Sequence, residues 1–171
     1  MEIQGLKFQL KEPTLNTKKY LTRLVAGLRK ITHLYTGDVD FRILEGYRKK
    51  LNELNLAKQQ VSKVLEEKKD SKGELTEEKT AEYETALANL VERIGILNSE
   101  FSEDLEAQSQ QDLLNELEAL ALLEYSKDEK AIKPILKQIL EGEVDKIDFN
   151  EDDVAPFLAG IITGFFLKSR N

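Results

Sequence analysis

Two runs in the middle of the chain constrain its fold most. Leu44, Tyr47, Leu51, Leu54, Val61 and Leu65 recur at alternating steps of three and four, with Lys58 at the remaining seam position. Tyr83, Leu87, Leu90, Ile94, Leu97 and Phe101 repeat the pattern. Such spacing puts one apolar seam along each of two helices, as in a coiled coil. Between them lies Lys68-Lys69-Asp70-Ser71-Lys72-Gly73, polar and turn-forming. Two matched amphipathic helices joined by a short polar turn predict an antiparallel hairpin. Its arms, of roughly 28 residues, would run about 40 Å. Leu56, Ala57 and Val64 lie off the first seam and hint at a second apolar face, which would be a partner site.

Around this hairpin the chain reads as mainly α: a helical bundle with a long antiparallel helical hairpin and a short N-terminal β-strand or hairpin. Leu6, Phe8 and Leu10 alternate with polar residues, the pattern of a half-buried strand. Gly5 marks a turn from a shorter strand at Glu2–Ile3, and Pro13 ends the run. Thr14 or Asn16 caps a basic helix whose stripe is Leu21, Leu24, Val25, Leu28, Ile31 and Tyr35, with Gly37 closing it. Beyond the hairpin, Ser102 or Ser109 is expected to cap a helix ending near Tyr125-Ser126, and Ala131–Leu140 forms a short helix with Pro134 in its first turn or dividing it. Asn150 is expected to cap a last helix with Pro156 in its first turn. The expected organisation is one domain, 1–171. It comprises a strand segment 1–13, a basic helix 16–36, a helical hairpin 40–101 and a C-terminal helical part 109–171.

Composition narrows the function classes. Charged residues are 33% of the chain and hydrophobic residues 40%, with three prolines and nine glycines. That balance suits solvent-flanked helices. No cysteine is present, which removes disulfides and thiolate chemistry. No apolar run reaches the length of a membrane span, and no secretory leader is apparent. A soluble, cytoplasmic chain is the expectation. Net charge is −7, split between +6 over residues 1–50 and −13 over 51–171. The two parts attract within one molecule or between copies.

A search for chemistry finds little. His33 is the only histidine, beside the stripe of the first helix, where a structural role is the simpler reading. Nucleophile-elbow, phosphate-loop and dinucleotide motifs are absent. The helical Glu-x-x-His motif of di-iron bundles fails because Lys30 stands three before His33. Asp148, Asn150 and Asp152 have calcium-loop spacing, but Asp153 replaces the needed glycine and Ala159 the bidentate glutamate. The sequence therefore predicts no enzyme, no cofactor and no metal site. The basic helix could touch phosphates, but overall acidity disfavours nucleic acid as a partner. A protein client or self-association is expected instead, with no membrane. Gly160-x-x-x-Gly164 permits close helix approach. The expected contact surface is Phe157, Leu158, Ile161, Ile162, Phe165 and Phe166, with core packing as the alternative.

The segment Leu6-Lys7-Phe8-Gln9-Leu10-Lys11-Glu12-Pro13-Thr14 resembles the start of some phage tail assembly chaperones, in which a strand ending in this way leads into a helical body. The resemblance implies a factor that coats a helix-rich tape-measure protein while tail-tube subunits assemble. Several such chaperones are also made in an extended form by ribosomal frameshifting, and Phe165-Phe166-Leu167-Lys168 is compatible with a slippery run of codons. The alternatives are a homo-oligomeric virion or scaffold protein and a small nucleic-acid-binding regulator.

Overall fold

In the computed structural model, residues 1–168 are described, with side chains to Gly164. The chain opens with β1 (Glu2–Ile3) and β2 (Leu6–Lys7), an antiparallel hairpin pairing Glu2 with Lys7 and Ile3 with Leu6. Its two turn residues, Gln4 and Gly5, have φ of +52° and +72°, the positive values that a tight two-residue hairpin loop needs. The Gln4 side chain is held in return: its amide donates to the Asp148 carbonyl at 2.9 Å and accepts from the Asp148 N–H at 2.8 Å. Next comes β3 (Gln9–Leu10), so the alternation over 6–10 belongs to two strands broken at Phe8. That break places Phe8 in the core, 5% exposed, with its ring 5.5 Å from that of Phe157.

Helix α1 spans Leu15–Thr36, with Thr14 accepting the Thr17 N–H at 3.2 Å. Six α-helices are described, and helix accounts for 74% of the chain, a mainly α fold with an N-terminal hairpin as expected. Helices α2 (Arg42–Glu67) and α3 (Glu77–Glu103) are the two arms of the predicted hairpin. They are joined by β4 (Lys69–Asp70) and β5 (Gly73–Glu74). Lys68 stops α2 with φ of +51°. Thr76 caps α3 by accepting the Lys79 N–H.

Helix α4 (Leu105–Ser126) differs from expectation at its start: the cap is Asp104, not Ser102 or Ser109. A carboxylate accepts two helix N–H groups there, and it also suits the positive end of the helix dipole. Then come α5 (Glu129–Ile139), β6 (Leu140–Glu141), a single 3₁₀ turn at Val144–Lys146, and α6 (Val154–Lys168). Asn150 does not cap α6. It lies in a turn whose Asp148 carboxylate accepts its backbone and side-chain N–H groups, and the helix starts four residues later.

By contacts the chain divides into two compact units: residues 1–39 with 114–171, and residues 40–113. The expected 40–101 hairpin lies within the second. The first unit holds the main core, in which Leu21, Leu24, Ile132, Leu136, Ile139 and Ile161 are at most 3% exposed. Strands β3 and β6 pair antiparallel there, Gln9 with Glu141 and Leu10 with Leu140. Gly142 follows at φ of +135°, and a Cβ on it would stand 2.6 Å from a Phe8 ring carbon and 2.9 Å from the Lys7 carbonyl. Gly27 likewise lets α1 approach the Tyr125 phenol on α4.

Candidate functional site on the open faces of the helical hairpin

The second unit, residues 40–113, consists of α2, α3 and the first turns of α4. Arg42 and Leu44, whose backbone N–H groups have no partner within the first turn of α2, donate to Asp40 and to the Gln110 side chain at 3.0 Å each. Arg48 donates to Gln111 at 3.1 Å. At the seam's foot the Tyr47 ring meets that of Phe101 edge-on at 5.3 Å. The Tyr47 hydroxyl donates to Asp104 at 3.1 Å. Burial first, then that hydrogen bond, pushes the Tyr47 phenol up. The Ala107 N–H, foremost among its partners, holds Asp104 below the usual carboxylate range. At the far end Asp70 accepts the Lys72 N–H and pairs with Lys79 at 3.0 Å, which lowers its pKa. The two ends of the hairpin are therefore fastened by polar contacts.

Between these ends the seam is only half buried. Leu51, Leu54, Val61, Leu87, Leu90 and Ile94 all keep partial exposure; of the predicted seam, Leu44 and Leu97 alone are buried. One flank, beside Leu44, Tyr47 and Phe101, carries Gln111 of α4. The other flank is an open groove of about 470 Å³ with Leu54, Ala57, Leu90 and Ile96 on its floor. Lys50 and Glu53 rim it on α2, and Arg93 and Glu100 on α3. Ile96 stands 53% exposed, Leu56 58% and Val91 49%. Of the off-seam residues read from sequence, Ala57 lines the groove, Leu56 is in water and Val64 is half buried. The groove's share of α3 went unnoticed, although Ile96, one residue before the seam's Leu97, was a legible sign.

The six residues expected as a contact surface are placed differently. Phe157, Leu158 and Ile161 are buried in the first unit's core, at 7%, 1% and 0% exposure, and Ile162 packs half-buried against it. Their apolarity is used internally, so as folded they present no contact face. Phe165 and Phe166 lie at the end of α6, and their side chains fall outside the described residues. Gly164 packs against Leu10, where an added Cβ would meet the Leu10 side chain at 3.4 Å, whereas nothing approaches Gly160.

His33 is exposed on the rim of a shallow groove formed by α1, α4 and Ile162. Among the described residues no charged or hydroxyl-bearing side chain is hydrogen-bonded to its ring. Of the calcium-like triplet, Asn150 donates to Asp148 within its own turn and Asp152 pairs with Lys127 at 3.2 Å. Among the described residues no group of three potential ligands is placed to hold a metal ion, and no helix is long and apolar enough to cross a membrane. The segment carrying the chaperone resemblance forms β2, β3 and the Thr14 cap of α1. No family model, curated protein or solved structure matches the chain.

Proposed function

We propose that the chain is a non-enzymatic, protein-binding assembly factor that holds a helical segment against its helical hairpin. The observation that carries this reading is the half-buried seam. A long two-helix layer leaves leucines and isoleucines at the water boundary along its length, and burying them against another helix gains roughly 25 cal/mol per Å². Apolar helix-in-groove recognition uses anchors at this spacing. The resemblance of residues 6–14 to phage tail assembly chaperones supports a tape-measure-like client as the particular version of this role. The homo-oligomeric structural alternative is favoured by the same exposed seam.

A photo-crosslinkable residue at Ile96 tests the reading in the cell that makes the protein. The expected result is a crosslink to one defined helical polypeptide, a client or a second copy of this chain. Absence of any crosslinked polypeptide at Ile96 would overturn it.

A further inference from the structure

The open groove has a charge pattern that selects among helical occupants. Its rim carries two cations and two anions, and none of the four takes part in an ion pair among the described residues. A polyanion would call for one sign only. A balanced rim without ion pairs, its Lys50 ammonium standing 6.0 Å from the Tyr47 ring centre, around an apolar floor calls for a surface that is itself balanced.

We infer that this groove is where a second copy of the chain docks, hairpin against hairpin, to form a four-helix bundle. The inference rests on the protein-binding reading above and names its partner. Because the arms are antiparallel, Lys50 and Glu100 stand near one end of the groove, with Glu53 and Arg93 further along. A two-fold axis running parallel to the helices, between the layers, lays α2 of one copy over α3 of the other. That rotation keeps each level in place. Lys50 then faces the second copy's Glu100, and Glu53 faces the region of its Arg93. All four rim charges meet the opposite sign, twice over by symmetry. Every neighbouring pair of helices in the bundle is antiparallel, the usual up-and-down arrangement. A two-fold axis across the helices would instead stack α2 on α2 and separate the complementary ends.

The area is also adequate. An arm of 26 residues is roughly 39 Å long, and two helices side by side are about 20 Å across. One face thus offers roughly 800 Å², about what each partner contributes to a standard stable interface. An identical hairpin has the same length and the same three–four spacing, so its register matches along the whole groove.

Size-exclusion chromatography with light scattering tests this on the full chain. The expected particle contains two 19.5 kDa chains. Ile96→Glu should give a monomer with unchanged helical circular dichroism. Lys50→Glu should weaken the dimer about tenfold, and adding Glu100→Lys to it should restore the dimer. A wild-type monomer would overturn the inference, as would a dimer indifferent to Ile96→Glu and to the charge reversals. A wild-type monomer that still crosslinks at Ile96 to another polypeptide leaves the protein-binding reading standing while this inference fails.

Discussion

In the first unit, Leu24, Ile132, Leu136, Ile139 and Ile161 are wholly buried, whereas in the hairpin unit only Leu44 and Leu97 of the seam leave solvent. The two units use the same residue types, mostly leucine and isoleucine, at helical spacing. They differ in how many layers cover each helix. In the first unit the core is closed by α1, α5, the β3–β6 pair, the 3₁₀ turn and α6. Within the second unit, each arm packs mainly on the other arm. A periodic stripe therefore specifies which side of a helix is apolar, while the number of neighbours decides whether that side becomes a core or stays at the water boundary.

The sharpest way to break this comparison is a pair of truncations. Leu136→Ala should cost about 3–4 kcal/mol, because a fully enclosed cavity remains. Leu90→Ala should cost about 1 kcal/mol, since water reaches the gap. Denaturant unfolding followed by residue-resolved hydrogen exchange would compare them, and equal losses would erase the distinction. Gly142→Ala should follow at about 2 kcal/mol, through its positive φ and the collision with Phe8. This loss should appear in the first unit's amides and leave the α2–α3 amides unaffected.

The smallest expected effect is a dependence on pH at the hairpin tip. Asp70 has its pKa lowered in the folded state by the Lys72 N–H and by Lys79. Its contribution is therefore complete above the unfolded carboxylate value near 3.8 and fades as pH falls through the lower folded value. Protection factors of amides around residues 65–80, corrected for the intrinsic exchange rate, should fall below about pH 4. In Asp70→Asn that local acid response should be missing.

Much of the fold is legible in the sequence. The hairpin arms, the polar turn at 68–73 and the Thr14 cap follow from local chemistry, because period, turn residues and caps act over a few positions. The β3–β6 pair was not readable, since two-residue strands carry no period and their partners are far apart in sequence. Whether Phe157, Leu158 and Ile161 form a contact surface or pack in the core was left open by the sequence for a related reason. An apolar helix face looks the same in sequence whether it meets its own chain or another, and only the position of Phe8 and the 140s loop decides. The open groove was half legible, through Ala57 on the first arm, while Ile96 passed unnoticed beside Leu97.

The interruption of the first unit by the second governs the order in which a ribosome can deliver the fold. Gln4 must wait for Asp148, 144 positions later, and at about 5–20 residues per second that delay is of order 10 s. The hairpin closes through near neighbours and is complete well before then. During the interval the nascent chain displays α1, with five cations and no acid, and its apolar stripe has no core to enter. The emerging polypeptide therefore passes through a stage in which the hairpin is already finished and the amino-terminal segment is still unprotected, the period in which degradation or premature association would strike.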